Sequence, residues 1–247
     1  MLRLSAVAAI TPDHAWSRQQ PPVEWLEQVN RLSLVTRLLF ATVHDVNNTL
    51  QVVSGAAEVL AMDPTPAAVI RRTEDIVGHA RQATSALLAL TTFASGAGQA
   101  TGRTRLKSTA EHALGLRQHA LRKARIAVSV SGDEVECGAS HGRVLQILLN
   151  VIVNAEHALA GRPGASLAVS VSANAATASV SVEDNGPGLD QDQAARAFDW
   201  PSAPPASAGG LGIGLFVSQA LAARDGGGLT YAPALGGGAV FRLSVPR

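Results

Sequence analysis

Apolar residues recur at alternating intervals of four and three from Trp25 through Val29, Leu32, Thr36, Leu39, Val43, Val46, Leu50, Val53, Ala57 and Leu60. That is the a/d seam of a heptad pattern, with Thr36 its one polar member. The spacing predicts a helix from about Val23. Met62-Asp63-Pro64-Thr65-Pro66 stops it, because both prolines disfavour continuation while Pro66 suits the first turn of a new helix. A single amphipathic helix of this length has too little to pack on alone, so a helical partner is expected. Ala67 to Ala94 supplies it, with a softer stripe of Ile70, Val77, Ala80, Thr84, Leu87, Thr91 and Ala94. Two antiparallel helices make a hairpin, and two hairpins from two chains close a four-helix bundle that buries both stripes.

The pattern changes after Ser95-Gly96-Ala97-Gly98-Gln99-Ala100-Thr101-Gly102, a run of small residues that reads as a linker. Helices are predicted over Leu106 to Lys123, His141 to Leu159 and Leu211 to Arg224. Strands are predicted over Ile126 to Val130, Leu167 to Val171, Ala178 to Glu183, Leu229 to Ala232 and Ala239 to Val245, the middle pair forming a hairpin around Asn174. The predicted organisation is an arm (1–22), an all-α hairpin (23–95), a linker (96–103) and a C-terminal α+β sandwich (104–247). In that last part the helices cover one face of a mixed, mainly antiparallel sheet.

Composition narrows the function classes. The chain has 247 residues, 47% hydrophobic and 16% charged, which is enough apolar material for a core and no sign of global disorder. A formal net charge of +1 argues against a nucleic-acid-binding surface. Cys137 is the only cysteine, so no intrachain disulfide and no cysteine-based zinc site is expected, and Cys137 reads as a small residue in or beside a strand. No apolar run reaches the length of a membrane span, Met1 to Ile10 lacks the apolar core of a signal peptide, and a cytoplasmic setting is expected.

Four stretches carry candidate chemistry. Val43-His44-Asp45-Val46-Asn47-Asn48 puts an imidazole, a carboxylate and carboxamides within about one helical turn, and His44 flanks the seam residue Val43. Asn150, Asn154 and His157 share one face of the 141–159 helix, and carboxamide oxygens suit magnesium held partly by phosphate. Glu183-Asp184-Asn185-Gly186-Pro187-Gly188 places a carboxylate at a strand end beside glycines that let a nucleotide approach the backbone. Gly209-Gly210-Leu211-Gly212-Ile213-Gly214 opens a helix and can cradle phosphate. It lacks the Lys-Ser/Thr of a P-loop and the following unit of a dinucleotide fold. Each stretch alone has a plain alternative: a packed histidine, a polar helix face, a surface turn. Glu156 lies on a different helix face and reads as solvated.

In this order the stretches resemble the two-component sensor histidine kinases. The match runs from about Val23 to the C-terminus. The hairpin with His44 resembles their dimerisation and histidine-phosphotransfer domain. Asn150 to His157 resembles the N-box, Asp184 to Gly188 the G1 box and Gly210 to Gly214 the G2 box of their Bergerat-type ATP-binding domain, a family shared with DNA gyrase. The resemblance implies that His44 is phosphorylated from ATP and that Asp45 orients its imidazole. It implies that Asn154 holds Mg2+ with Asn150 in support and that Asp184 binds the adenine amino group. Gly186 and Gly188 would shape the adenine pocket, and Gly210, Gly212 and Gly214 would line the phosphates. His157 stands where the family often has a phosphate-contacting lysine or arginine. Asn48, on the His44 face, implies a regulator-phosphatase activity as well. The implied partners are a second copy of the chain and a response-regulator receiver domain; residues 1–22 are too few for a folded input domain, so either a separate sensor protein delivers the signal or the sequence is a segment of something longer.

Three departures from the family pattern shape the expectations. Ala197-Phe198-Asp199-Trp200-Pro201 keeps only part of the family's aromatic motif. Ser202 to Ala208 makes a short lid of small residues, which implies weak ATP affinity. Thr49 replaces the proline five residues after the histidine, so the helix should bend less there. Two alternatives follow. One is a non-catalytic phosphotransfer or scaffold protein that retains a degenerate ATP-binding domain. The other is an ATP-hydrolysing relative, which needs a glutamate base where this chain has Asn150.

Overall fold

The computed structural model describes residues 21–62, 65–96, 102–201 and 212–247. Most of the expected arm, the Asp63-Pro64 turn, most of the linker, Gly210 and the expected lid fall outside them.

Helix α1 (Val23–Met62) and helix α2 (Pro66–Ser95) form the hairpin. The Pro22 carbonyl accepts from the Trp25 and Leu26 N–H groups and starts α1. Pro66 occupies the first turn of α2, where its missing N–H costs nothing. Gly96, left-handed at φ 70°, returns its N–H to the Phe93 carbonyl and closes the helix. The seam residues Leu32, Leu39, Val43 and Leu50 stay 45–51% exposed within one chain. The face of α1 that is buried is a different one, Leu26, Asn30, Leu34, Leu38 and Thr42. On α2 the corresponding contrast is between exposed Ile70, Val77 and Leu87 and buried Ala83, Leu90 and Phe93.

The α+β part begins with a two-residue ladder that the sequence pattern did not reveal, β1 (Thr104–Arg105) against β3 (Glu136–Cys137). Between them lie α3 (Leu106–Lys123) and β2 (Ala127–Ser131). Then come α4 (His141–Leu159), β4 (Ser166–Ala173), β5 (Thr177–Asp184), the short α5 (Gln191–Ala195), α6 (Gly214–Arg224), β6 (Gly228–Pro233) and β7 (Ala239–Pro246). The main sheet runs β2-β4-β5-β7-β6. Only β2 and β4 pair in parallel, so the sheet is mixed and mainly antiparallel.

Alternation along β4, β5 and β7 sends Leu167, Val169, Val180, Val182, Leu243 and Val245 to one side, where the helices cover them. Helix α4 is buried on most of its circumference, as befits a helix between the sheet and further helices. Helix α6 starts at Gly214 rather than near Leu211, because Gly212 adopts φ 70°, which cannot continue a helix. Cys137 lies buried in β3, and burial pushes its thiol above the usual range.

The two central helices are tied at their ends. Asp225, capping the C-terminus of α6, accepts from the Arg143 guanidinium through both oxygens and from the Ser140 N–H at the start of α4. The carboxylate is 2% exposed and the guanidinium 13%, and this pairing raises the Arg143 pKa further. Asp225→Ala would strand a buried guanidinium. It is expected to cost about 3 kcal/mol or more of unfolding free energy, read from urea denaturation.

Candidate functional site

Helix α4 organises the site because two glycine turns close on it. A Cβ at Gly214 would lie 3.1 Å from the Asn150 Oδ1, and one at Gly186 would lie 3.2 Å from the Ala158 Cβ. Asn154 is one turn after Asn150 and one turn before Ala158, so it lies between the two glycine contacts. Asn154 is half-buried and His157 exposed on that face. The spacing that suggested three separate patches thus becomes one surface: carboxamide in the middle, glycine backbone at either end.

Asp184 ends β5 and is 3% exposed. Its Oδ1 accepts from the Gly186 N–H at 2.8 Å. Burial raises its pKa above the usual carboxylate value, against the opposing pull of the Gly186 and Ala239 N–H groups and the Arg162 charge. The turn after it is pinned from both sides. Asn185 accepts from the Ser166 N–H and donates to the Gly164 carbonyl, each at 2.8 Å. Gly188, at φ 72°, passes so near the Gly238 carbonyl that a Cβ would come within 2.7 Å of it. A Cβ at Gly238 would collide with the Asp184 carbonyl at 1.9 Å. Gly238 therefore belongs to the scaffold of this turn. The triple glycine between the last two predicted strands was the available signal.

The aromatic segment after α5 also packs here. Phe198 meets Phe241 edge-on at 6.4 Å, and Trp200 meets Phe216 of α6 at 5.4 Å.

The unanticipated feature is α1, which lies along α4. Asn30 and Asn150 form a reciprocal carboxamide pair, each donating to the other at 2.9 Å. The Asn30 Oδ1 also accepts from Gln146 at 2.8 Å, and Asn150 donates further to the Ser218 hydroxyl of α6 at 3.0 Å. All four side chains are buried. One heptad on, the Arg37 Nη1 meets the His157 Nε2 at 3.1 Å. Beside them Glu156 receives two bonds from Arg117 of α3, so it is a paired structural carboxylate and not the solvated group its position suggested. Burial, then Arg37 and Arg117, lower the His157 pKa and keep the imidazole neutral; Glu156 opposes them. At the other end, Arg224 of α6 binds Glu27 at 2.7 Å and also Glu24. Asn150, expected to support a metal, has its carboxamide engaged by Asn30 and Ser218, while Asn154 stays on the cleft side.

His44 is exposed on α1. The Asn48 Nδ2 donates to its Nδ1 at 3.0 Å, and its ring lies 4.3 Å from that of His119 on α3. The Asp45 side chain is outside the described residues, as is Gly210. The structure brings Asn150, Asn154, Asp184, Gly186, Gly188 and Gly214 around α4, and it places His44 against α3.

A family model for the histidine kinase-, DNA gyrase B- and HSP90-like ATPase matches residues 140–247, the segment that holds every one of these cleft residues. The chain is a relative of the two-component sensor histidine kinases. The C4-dicarboxylate transport sensor protein DctB of Pseudomonas aeruginosa is 32% identical over 187 residues, 71% of this chain and 30% of that protein. The signal transduction histidine-protein kinase AtoS of Escherichia coli is 26% identical over 223 residues, 90% of this chain and 36% of that protein. The chain spans well under half the length of these curated relatives. The catalytic domain of histidine kinase ThkA shares the fold, with a TM-score of 0.53 at 20% identity over 60% of this chain and 97% of that one. Among the described residues no helix is long and apolar enough to cross a membrane.

Two outcomes follow from these contacts. Asn30→Leu removes both partners of the Asn150 carboxamide on α1 and leaves Gln146 short of one acceptor. A loss of about 2 kcal/mol of stability is expected in urea denaturation. Asp184→Asn removes the cost of a charged carboxylate held in a buried position. The Tm at pH 7 should rise, and the gain should fade as the pH falls through the raised carboxyl pKa, where the parent protonates in the folded state.

Proposed function

We propose that the chain is an ATP-dependent protein-histidine kinase that phosphorylates His44 and passes the phosphoryl group to an aspartate of a response-regulator receiver domain. The observation that carries this reading is the α4 face, with Asn154 held between the Gly186 and Gly214 close approaches. Backbone without side chains is what lets a nucleotide reach a helix at both its base and its phosphate end. Asp184, a buried acceptor fixed at the end of β5, fits the adenine amino group. Asn154 offers an oxygen to Mg2+, which supplies charge neutralisation on the phosphates, with Asn150 supporting it from within the helix.

The acceptor needs a lone pair on the attacking nitrogen. With Asn48 donating to Nδ1, the neutral ring carries its proton on Nε2. A half-turn of the Asn48 carboxamide would present its oxygen instead, favour the tautomer whose proton, exchanged with solvent, sits on Nδ1, and leave Nε2 as nucleophile. Asp45 offsets the positive charge that develops on the ring as the nitrogen–phosphorus bond forms and the bond to ADP breaks. Positioning and electrostatics carry most of such a transfer. Asn48 also gives the chain a means of directing water at a phosphorylated regulator, the basis of a phosphatase activity.

The exposed stripes on α1 and α2 are the surface a second hairpin would cover, giving a homodimeric four-helix bundle. ATP, magnesium and a receiver partner fit a cytoplasmic reaction.

One observation favours a second reading. The α1 contacts at Asn150 and His157 cover part of the cleft face, as a phosphotransfer or scaffold protein without ATP use would tolerate.

Incubation with γ-labelled ATP and Mg2+ tests the main reading. Acid-labile label is expected on the parent chain and absent from His44→Gln; label that survives the substitution, or none on the parent, overturns it. Leu39→Glu with Leu50→Glu is expected to convert a dimer to a monomer in sedimentation equilibrium.

A further inference from the structure

We propose that Arg37 of α1 is a phosphate-binding residue of the nucleotide site, supplying across the two halves of the chain the cation that α4 lacks at His157. The proposal rests on the ATP-site reading above.

Four groups meet beside the candidate cleft: Arg37 from α1, Arg117 from α3, and Glu156 and His157 from α4. Glu156 is committed to Arg117 by two bonds. Two guanidinium groups therefore face one carboxylate and a neutral imidazole, which leaves one positive charge uncancelled. Arg37 carries the mark of it: burial, then repulsion from Arg117, lower its pKa, and Glu156 only partly offsets them. A half-buried cation in this state is stabilised by an incoming anion.

The geometry aims it. His157 is three residues beyond Asn154 on the same face, about 4.5 Å along the helix axis. Its Nε2 accepts from the Arg37 Nη1, so the imidazole acts as a bracket and the guanidinium as the charge. That bond engages one of five N–H donors in a planar fork suited to phosphate oxygens. Arg37 is also two turns before His44 on the same helix. A nucleotide bound through Asn154 and Arg37 would join the helix that holds the acceptor to the helix that holds the donor.

A terminal-phosphate contact distinguishes ATP from ADP, whereas a merely structural contact does not. Calorimetric titration of the full chain with Mg-ATP and with Mg-ADP reads the difference. Arg37→Gln is expected to weaken Mg-ATP binding about tenfold or more, as loss of a charge-assisted bond does, with Mg-ADP little changed. Arg37→Lys should recover part of the ATP affinity. His157→Ala, which leaves Arg37 in place and loosens its bracket, should show a smaller loss with the same ATP selectivity. Equal losses for both nucleotides, or unchanged or tighter ATP binding in Arg37→Gln, would overturn the proposal. Failure of the parent chain to bind either nucleotide would remove the ATP-site reading itself, and this proposal with it.

Discussion

The Asn30–Asn150 pair is the constraint on which the arrangement of this chain turns. It joins the helix that bears His44 to the helix that bears Asn154, and through Ser218 it reaches the helix that Gly214 opens. A buried carboxamide cannot be left half paired without cost, so these three helices must keep their relative positions for the network to persist. Apolar contact supplies the bulk of the attraction, through Leu26, Leu34 and Leu38, but it is tolerant of sliding. The polar pair is not. Two of the contacts between α1 and α4, Asn30 with Asn150 and Arg37 with His157, keep the same offset of 120 residues. The two helices therefore run in parallel and in register over a heptad, with an asparagine pair of the kind that fixes register in coiled coils at some expense of stability.

Helix α1 serves two masters with two faces. One is the seam from Trp25 to Leu60, which a single chain leaves largely uncovered. The other runs Leu26, Asn30, Leu34, Leu38 and Thr42, every fourth residue, and is buried. A row of four-residue steps drifts about 40° per step around an α-helix, so this second stripe winds obliquely across the side of α1 opposite the seam. Both surfaces can therefore be occupied at once. His44, two residues beyond Thr42, still meets the α+β half through the His119 ring of α3 while its own side chain stays exposed.

Much of this was legible from the residues. The bounds of α3 and α4 follow from apolar periodicity bracketed by clear stops, and the mixed sheet follows from five short alternating runs between helices. The grouping of Asn154, Asp184 and the glycines was legible because each motif is local and their order along the chain was informative. What escaped was nonlocal. Nothing in the sequence around Asn30 distinguishes it from a surface polar residue, and its role exists only once Asn150 and Gln146 face it. Glu156 reads as solvated for the same reason: its partner Arg117 is contributed by another helix. The β1–β3 ladder is two residues long, below what alternation can register, and Gly236 to Gly238 looks like an ordinary hairpin turn until the Asp184 carbonyl is found against it.

Asp184 shows how structure and chemistry conflict within this site. A carboxylate that is 3% exposed and accepts from the Gly186 N–H pays a desolvation cost in the free protein, visible as its raised pKa. Structural economy would place an asparagine there, which can accept the same N–H without the charge. A carboxylate is the stronger acceptor for an amino group, and on the proposed function its advantage would appear only when such a donor binds. On the proposed function, Asp184 is the acceptor for the ligand's amino group, whereas neighbouring Asn185, both of whose amide ends are bonded to backbone, is scaffold.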